Sequence, residues 1–440
     1  MGGGDRAPQG RVPRSERAGS ASEVERGRGT DADVTESAGI PGGTGAAGGG
    51  PKPSRGRRRR LLRWIGLGMA LLVLAGAATG WWIYRKLDGN IREDTSAAAE
   101  LERYERERPL HLISGAQNIL VIGSDSRSGR ENARYGQDQG TQRSDTTILL
   151  HLPADRRSAT AVSLPRDLMT RIPPCLGADG TRTGERFGQF NWAFQWGGAA
   201  CTIRTVEALT GVRIDHHMVM DFRGFKKMVD AVGGVEVCLK SPMNDAEAKL
   251  RLPAGRQTLQ GEQALGFVRA RYSLGNGSDT ERMERQQQFL ASLVKKVQSN
   301  GVLLNPARLY PLLDAATSSI ATDPELASLR ALYELVRTTR DIPTDQIRFL
   351  TVPRKPYAGN PNRDELLEPE AEQLFRQLRL DQPITVVPAR PQAPAVAQRT
   401  PGGRSQEPGD QDHGRENGTT PPASPVPTFT GTTAGTATCR

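Results

Sequence analysis

The sequence predicts an α/β fold in which helices cover both faces of a layered sheet, within one domain of roughly 300 residues. Apolar strand patterns such as NILVIG alternate with amphipathic helix patterns such as RGFKKMVDAVGG through the middle of the 440-residue chain. The two ends of the chain lack both patterns, and one long apolar segment separates the first end from the domain. We therefore expect one folded domain behind one membrane helix.

The composition of both ends predicts disordered tails. Residues 1–60 are rich in Gly, Arg, Ser, Ala and Glu, and residues 389–440 are rich in Pro, Gly, Thr and Gln. Such segments bury too little apolar surface to offset the entropy that they lose on ordering. We expect the first tail to lie in the cytoplasm and the second to follow the domain.

The segment 61–84 predicts a single transmembrane helix. It contains WIGLGMALLVLAGAATGWWIY, which has no charged residue and the length that a bilayer requires. The run RGRRRR directly before it predicts a cytoplasmic N-terminus, and Trp81 and Trp82 suit the opposite interface. No small-residue cleavage site follows, so we expect a retained anchor in the cytoplasmic membrane and an external domain.

The composition of the rest of the chain predicts a polar stalk at 85–114, followed by alternating strands and helices. The expected strands are NILVIG, DTTILLHLP, SATAVSLPRD, HHMVMDF, VEVCL and IRFLTVP. The expected helices are CTIRTVEALTGV, RGFKKMVDAVGG, LQGEQALGFVRARY, DTERMERQQQFLASLVKKVQS, 305–318, 323–339 and EPEAEQLFRQLR.

The four cysteines can form disulfides if the domain lies outside the membrane. Cys175 and Cys201 both lie in loop-like contexts, so we favour a Cys175–Cys201 bond, although the sequence alone does not determine the pairing. Cys238 lies in a strand pattern and is expected to be a small buried residue. Cys439 lies in the tail, and no cysteine spacing resembles a zinc site.

Charged residues collect where the predicted strands begin or end. Asp125 follows the first strand, Arg143 and Asp145 precede the second, and Arg166 follows the third. Carboxylates prefer hard cations such as Mg²⁺, and guanidinium groups bind phosphate. The pattern therefore indicates a site for a metal-bound pyrophosphate, while a surface of ordinary Arg–Asp pairs remains an open alternative on spacing alone.

Further arginines follow in VRARYSLGNGSDTERMERQQ. Arg269 and Arg271 share a face if their segment is extended, and Arg282 and Arg285 lie near one side of a helix. The net charge of +10 would suit nucleic acid, but the densest basic run lies beside the membrane segment, so we expect no nucleic-acid partner.

Eight segments between about residues 115 and 295 together resemble the LytR-CpsA-Psr family of cell-wall proteins, as found in high-GC Gram-positive bacteria. They are NILVIGSDSR, RSDTTILLHL, AVSLPRDL, NWAFQWGG, TVEALTGVRIDHHMVMDFRGF, VDAVGGVEV, LQGEQALGFVRARY and RMERQQQF. The resemblance implies an α/β/α sandwich around a central mixed sheet, with a hydrophobic pocket for a polyprenyl chain. It implies a main domain at 115–295 and a helical extension of that domain at 296–388. It also implies a phosphotransferase that moves a glycopolymer from an undecaprenyl-pyrophosphate carrier to peptidoglycan, at the C6 hydroxyl of N-acetylmuramic acid, and releases undecaprenyl phosphate.

The resemblance also implies roles for individual residues. Asp125 and Asp145 match the family's metal-binding aspartates, for Mg²⁺ or alternatively Mn²⁺, and together with Arg143 and Arg166 they are the expected catalytic residues. Glu281 stands directly before Arg282, where the family usually has Gly, and Arg127 stands where the family tolerates other residues. The residues expected to bind the pyrophosphate are Arg143, Arg166, Arg269, Arg271, Arg282 and Gln286.

Three alternatives to the transferase stay open at this point. The same site would serve a polyprenyl-pyrophosphate pyrophosphatase. A non-catalytic glycolipid-binding protein would use the site to bind the glycolipid without cleaving it. A transcriptional regulator is opposed by the order of the chain, since the folded domain follows the membrane segment. His216 and His217 are expected to have structural roles, and Asp167 to cap a helix.

Overall fold

The computed structural model describes residues 55–125, 143–177, 179–270, 279–299, 306–388 and 427–436. The chain divides into two units, Met1–Ala70 and Leu71–Arg440. In the first unit, the described residues are the beginning of a helix. Everything else described below belongs to the second unit.

Helix α1 (Arg55–Asp88) contains the predicted transmembrane segment. Its part Arg59–Asp88 has a mean hydropathy of 1.9 and is long and apolar enough to cross a membrane. The helix begins inside the segment 1–60 that we predicted to be disordered, because arginine has a good helix propensity. Residues 1–54 of that segment lie outside the described residues.

Nine strands of the described residues form one mixed sheet. In spatial order they are β1 (Arg92–Glu93), β12 (Ile320–Thr322), β7 (His216–Met220), β2 (Gln117–Ser124), β3 (Ser144–Leu152), β4 (Ala159–Leu164), β13 (Ile347–Thr351), β17 (Thr428–Thr433) and β16 (Thr385–Val387). Strands β2, β4, β7 and β13 run in one direction and β3 runs against them. We call the end of the sheet where these four strands finish and β3 begins the rim.

Four smaller two-stranded antiparallel sheets accompany the main sheet in the described part of the chain. They are β5 (Met169–Ile172) with β6 (Arg186–Gln189), β8 (Val235–Leu239) with β11 (Gly255–Leu259), β9 (Met243–Asp245) with β10 (Leu250–Leu252), and β14 (Arg354–Tyr357) with β15 (Asn360–Leu366). The β5–β6 pair follows β4 along the chain and the β14–β15 pair follows β13, so both extend from the rim.

Helices cover both faces of the main sheet, as predicted. They are α2 (Thr95–Arg103), α3 (Trp192–Thr210), α4 (Phe222–Ala231), α5 (Gly261–Arg269), α6 (Asp279–Gln298), α7 (Pro306–Ser319), α8 (Leu329–Thr339) and α9 (Glu370–Arg379). Leu120 and Leu149 pack in the core that contains residues of α3 and α9, whereas Ile119 and Ile148 pack in the core that contains residues of α6 and α8. This alternation follows from the two-residue period of a strand.

One outer edge of the sheet comes from the segment 85–114 that we predicted to be a stalk. Strand β1 pairs in parallel with β12, and the Asp94 carboxylate caps α2 by accepting from the Ala97 amide at 3.0 Å. These residues are therefore part of the fold. A strand of two residues is too short to show a periodic pattern, which is why the sequence did not indicate it.

Two further segments contain strands that we did not predict. The predicted helical extension 296–388 supplies β12 and β16 to the main sheet, in addition to its helices and to β13, which is the strand predicted at IRFLTVP. Within the predicted tail 389–440, β17 lies between β13 and β16, and Phe429 is only 5% exposed. Residues 389–426 and 437–440 of that tail lie outside the described residues.

Cys175 and Cys201 form a disulfide, with Cα atoms 5.4 Å apart, which confirms the favoured pair. Two glycines that interrupt α3 make the close approach possible, Gly197 at φ −150° and Gly198 at φ 59°. A Cβ at Gly197 would lie 2.8 Å from the Cβ of Cys201. Any side chain there would therefore push against the disulfide.

The prediction for Cys238 is wrong. Cys238 is exposed on β8 and is disulfide-bonded, not a buried free thiol. Its neighbours Val235 and Val237 are buried, so Cys238 lies on the outer face of that strand. The remaining cysteine of the sequence, Cys439, lies outside the described residues.

Candidate functional site

The rim brings Asp125 and Arg143 together across β2 and β3. The Asp125 amide donates to the Arg143 carbonyl at 2.9 Å, and the Arg143 amide donates to Oδ1 of Asp125 at 2.5 Å. An irregularity in the pairing after Gly123 shifts the register just before this point. The Asp125 carboxylate is therefore fixed at the rim by backbone contacts, beside an exposed arginine.

Arg166 and Asp145 form the second pair at the rim. Nη1 of Arg166, just beyond β4, donates to Oδ1 of Asp145 at 2.8 Å. The two side chains are 19% and 29% exposed, so solvent reaches both. An ion pair with this exposure contributes little to stability, and an incoming anion can compete for the arginine.

Gln195 supports Arg143, and the sequence analysis gave it no role. Its Oε1 accepts from Nε of Arg143 at 3.1 Å. Gln195 lies near the start of α3, within the segment NWAFQWGG that carried part of the resemblance. That motif was the only signal that could have indicated it, since the two residues are 52 positions apart.

Asp167 orients Arg166 and does not cap a helix, so that prediction is wrong. Its Oδ2 lies 3.4 Å from Nε of Arg166, and its Oδ1 accepts from Nη1 of Arg363 at 2.9 Å. The residues after Asp167 enter strand β5. Arg363 is 196 positions away, so spacing could not reveal the contact.

Arg269 lies on the β7 side of the rim. Its guanidinium carbon is 4.7 Å from the ring centroid of Phe222, at cation–π distance. Phe222 begins α4 two residues beyond Met220, which pairs with Gly123 of β2. Arg269 therefore lies one strand away from Asp125. Arg271, its predicted companion, lies outside the described residues, as does Arg127.

The start of α6 connects α5 to the rim. Nε2 of Gln286 donates to the Val268 carbonyl at 3.1 Å, and Nε2 of Gln287 donates to Oγ1 of Thr351 at 2.8 Å, at the end of β13. In the structure Gln286 thus positions α5, and its predicted contact with pyrophosphate stays a prediction. Arg282 lies on this stretch and is 5% exposed.

Burial also changes the electrostatics of this stretch of α6. Burial, with repulsion from Glu281, raises the pKa of Glu284. Burial lowers the pKa of Arg285, whose guanidinium donates to the Ala270 carbonyl. Arg285 therefore has a structural contact, and the residue at the usual glycine position, Glu281, adds negative charge to the same turn of the helix.

The rim has a donor set that fits a magnesium ion. Asp125 and Asp145 offer hard carboxylate oxygens, and Mg²⁺ is commonly bound by one or two carboxylates, with waters and substrate phosphates completing its shell. Among the described residues, one group of three potential ligands has donor atoms within 4.8 Å of one another, namely His216, Asp323 and Glu325. That group lies at the beginning of β7, away from the rim.

A cavity of about 700 Å³ lies at the opposite end of the sheet from the rim. Its lining includes His151, Arg156, Arg348 and Asp381. Because this cavity lies away from the rim, it does not adjoin the expected pyrophosphate site, and the hydrophobic pocket that the resemblance implies stays a prediction.

Comparisons with known proteins identify the family to which this chain is similar. A model of the LytR_cpsA_psr family matches residues 89–380. The cell wall biosynthesis protein LcpA of Corynebacterium glutamicum is 33% identical over 310 residues, which cover 65% of this chain and 58% of that protein. The chain spans about half the length of the first curated relatives that it matches, since the match to a second protein of that organism covers 47% of it.

This chain also matches most of the length of one further relative and of one solved structure. The polyisoprenyl-teichoic acid–peptidoglycan teichoic acid transferase TagT of Bacillus subtilis is 26% identical over 305 residues, 67% of this chain and 88% of that protein. The crystal structure of protein gbs0355 from Streptococcus agalactiae superposes with a TM-score of 0.50 at 22% identity, over 61% of this chain and 89% of that one. The latter likeness shows the fold alone.

Proposed function

This chain belongs to the LytR_cpsA_psr family, and on that premise we propose that it is a membrane-anchored, Mg²⁺-dependent phosphotransferase. It transfers a glycopolymer from an undecaprenyl-pyrophosphate carrier to peptidoglycan, at the C6 hydroxyl of N-acetylmuramic acid. The observation that carries the proposal is the rim, where Arg166 with Asp145 and Arg143 with Asp125 alternate positive and negative charge at partly exposed positions. The similarity to TagT, which is named as a transferase of teichoic acid to peptidoglycan, supports the reaction class.

The two arginines of the rim bind the pyrophosphate in this proposal. A phosphate oxygen takes the place of Asp145 at Nη1 of Arg166. The pyrophosphate competes well for this guanidinium because it carries more negative charge and more acceptor oxygens than one carboxylate does. The exchange leaves the Asp145 carboxylate available to a cation beside Asp125. A bound Mg²⁺ would neutralise part of the charge on the phosphates. Gln195 and Asp167 keep the two guanidinium groups oriented toward the substrate.

The reaction is a displacement at the phosphorus that carries the glycan. The acceptor hydroxyl oxygen attacks this phosphorus, the bond from the phosphorus to the bridging oxygen breaks, and undecaprenyl phosphate leaves with that oxygen. The hydroxyl proton passes to solvent or to a rim carboxylate. Phosphoryl transfer asks a protein mainly for positioning and charge stabilisation, which the rim supplies.

The end of α1 supports a site close to the membrane. Leu87 is 2% exposed, Oδ1 of Asp88 accepts from the Leu329 amide at 2.9 Å, and Nδ2 of Asn90 donates to Oδ1 of Asp314 at 3.1 Å. These contacts fix the last turn of α1 to α7 and α8. Strand β1 follows directly after α1. Strand β12 begins at the rim, because its first residue pairs with the last residue of β7, and it runs away from the rim. Since β1 is parallel to β12, β1 also begins at the rim end of the sheet. With the N-terminus in the cytoplasm, α1 then enters the external domain at its rim end.

A reconstituted transfer assay tests the proposal. The full chain in lipid nanodiscs is mixed with a polyprenyl-pyrophosphate-linked sugar and a peptidoglycan oligomer, with Mg²⁺ or with EDTA. We expect sugar phosphate on the oligomer and release of polyprenyl phosphate, both lost with EDTA and in Arg143→Ala. The matched control is Arg337→Ala, an exposed arginine on α8 that pairs only with Glu334 of its own helix among the described residues.

Two outcomes would contradict the transferase. Sugar phosphate released to water with the oligomer present would identify a pyrophosphatase. Tight binding of the lipid-linked donor without Mg²⁺-dependent cleavage would identify a glycolipid-binding protein.

A further inference from the structure

Two aromatic side chains contact each other at the surface of the two hairpins that extend from the rim. Phe187 on β6 is 54% exposed, and Tyr357 on β14 is partly exposed. Their ring centroids lie 6.0 Å apart, with the planes inclined by 50°. We call Phe187 and Tyr357 the aromatic platform. A phenylalanine that is half exposed beside its ring partner presents apolar area that a ligand can bury.

Close packing around two glycines holds the aromatic platform in place. A Cβ at Gly359 would lie 2.6 Å from Cε1 of Tyr357, so the backbone of the β14–β15 turn lies against the tyrosine ring. On β6, the next residue is Gly188, whose Cβ would lie 2.5 Å from the ring of Trp192. Successive strand residues point to opposite faces, so Phe187 points away from Trp192 and outward. Close packing at Gly359 and at Gly188 therefore holds the backbone that carries the two rings.

Both hairpins are bonded to the segment that carries Arg166. At the end of β6, the Asn191 amide donates to the Arg166 carbonyl at 3.1 Å. On β15, the Asp364 amide donates to the Asp167 carbonyl at 3.3 Å. Phe187 precedes Asn191 by four residues, so its backbone lies within about 13 Å of the residue that is bonded to Arg166.

The surroundings of the platform suit a carbohydrate. Exposed ion pairs flank it on both hairpins, Arg171 with Glu185 at 3.0 Å and Lys355 with Glu365 at 3.3 Å. Arg171 is the cross-strand partner of Phe187. Ring faces pack on the C–H faces of sugars, while neighbouring charged groups of both signs accept from and donate to hydroxyl groups. An anionic lipid surface would select positive charge alone, which this surface does not offer.

The direction of the reaction decides which glycan occupies the platform. In phosphoryl transfer the attacking and leaving oxygens lie roughly in line across the phosphorus. In the proposed reaction the lipid phosphate leaves along α1, which joins the domain at the β1 edge of the sheet. The acceptor oxygen therefore approaches from the opposite side, where the hairpins that follow β4 and β13 lie.

We propose that the Phe187–Tyr357 platform binds the acceptor, a β-linked amino-sugar strand of peptidoglycan, and positions its hydroxyl for attack. This inference rests on the proposed transferase function for the identity of the acceptor. It adds a binding site for the second substrate, separate from the charged rim that binds the first.

Substitutions of the platform test the inference by both binding and kinetics. The variants are Phe187→Ala, Tyr357→Ala and their double, with Phe187→Trp and Tyr357→Phe retaining the stacking surface. The control is Tyr333→Ala, which removes an aromatic ring that is 61% exposed on α8, at a different place in the fold. Each full-length variant is measured for its melting temperature, for binding of an uncrosslinked peptidoglycan oligomer by calorimetry, and for acceptor and donor KM.

We expect each alanine variant to weaken oligomer binding and raise the acceptor KM about tenfold, while the donor KM stays within twofold. Phe187→Trp and Tyr357→Phe should restore most of the oligomer binding that the alanine variants lose, and Tyr333→Ala should match wild type. A rise in the donor KM instead would assign the platform to the donor glycan, and reduced association with anionic vesicles would assign it to the membrane. Each result overturns the inference, and so does unchanged binding in the double variant. If wild type binds the oligomer through these rings but transfers nothing, the platform stands and the proposed transferase fails.

Discussion

The two ends of the central sheet both collect charged and titratable side chains, but they satisfy them differently. At the rim, Arg166 and Asp145 pair with each other while 19% and 29% exposed. At the opposite end, His151 is 2% exposed and lies between Oδ1 of Asn118 at 2.8 Å and Oδ1 of Asp381 at 2.9 Å. A ligand can replace the partly exposed Arg166–Asp145 contact. At the opposite end, both ring nitrogens of the buried His151 already have protein partners. Exchangeable partners therefore distinguish a binding site from a structural cluster of the same residue types.

Asp323 shows the same closure at the beginning of β7. Its Oδ1 accepts from the amides of Glu325 and Leu326, its Oδ2 accepts from the amide of His217, and His216 Nδ1 lies 3.1 Å from Oδ1. A carboxylate with this many protein donors has little capacity left for a cation. The group of His216, Asp323 and Glu325 is therefore a structural cluster, although its donor atoms are close enough for a metal.

The largest expected effect is on catalysis at the rim. Arg166→Ala should lower the transfer rate by about 10²–10³-fold, because it removes a preorganised donor from the charge that develops in the transition state. The matched variant at the opposite end is Arg156→Ala, whose guanidinium bonds the carbonyl of Leu152 and Oε1 of Gln117. Initial rates of both variants, per folded molecule, check the comparison. Equal losses of rate would show that the rim has no special role.

The next largest effect is on stability at the closed end. Asp323→Ala should lower the free energy of unfolding by about 3 kcal/mol, because it leaves several amides without their acceptor. Asp145→Asn at the rim should change it by less than about 1 kcal/mol, since its ion pair is partly exposed. Urea unfolding of both variants measures the difference. A large loss for Asp145→Asn would mean that the rim is built for stability.

The smallest expected effect is a pair of opposite pH dependences. Burial lowers the pKa of His216, but the contact with Asp323 outweighs burial, so the net pKa is raised. The contribution of His216 to stability is therefore complete below about pH 6.5 and is lost as the pH rises through the raised pKa. Burial lowers the pKa of His151 despite Asp381, so stability is lost as the pH falls below about 6.5.

Substitution of each histidine by glutamine should therefore act in opposite directions on the pH profile. His216→Gln should cost more stability at pH 5.5 than at pH 8.5, and His151→Gln more at pH 8.5 than at pH 5.5, by on the order of 1 kcal/mol. Melting temperatures at the two pH values measure this. Parallel profiles for the two variants would show that neither histidine titrates through the contacts described.

The sequence indicated the rim because its signals are local. Asp125, Arg143, Asp145 and Arg166 each adjoin an apolar run, and a charge beside a buried strand must lie at the end of the sheet. The supports Gln195 and Arg363 are 52 and 196 positions from their partners, so only the folded chain brings them into contact. Local patterns thus predict where charge is presented, and tertiary packing decides how it is oriented.

The outer strands of the sheet were missed for different physical reasons. Strands β1 and β12 have two and three residues, which is too short for a periodic pattern. Strand β17 has one large apolar residue, Phe429, in a segment whose composition otherwise predicts disorder. Cys238 was predictable, because the alternation of Val235 and Val237 with it already places Cys238 on the outer face of β8.

The most direct test of the account follows the phosphorus that carries the glycan. A polyprenyl-pyrophosphate-linked sugar with a radioactive label on that phosphorus is incubated with the full chain, Mg²⁺ and a peptidoglycan oligomer. The account predicts that the label moves with the sugar onto the oligomer and that unlabelled polyprenyl phosphate is released. Label that stays with the lipid as polyprenyl pyrophosphate, while the sugar alone reaches the oligomer, would contradict it, because the rim would then catalyse glycosyl transfer and not phosphoryl transfer.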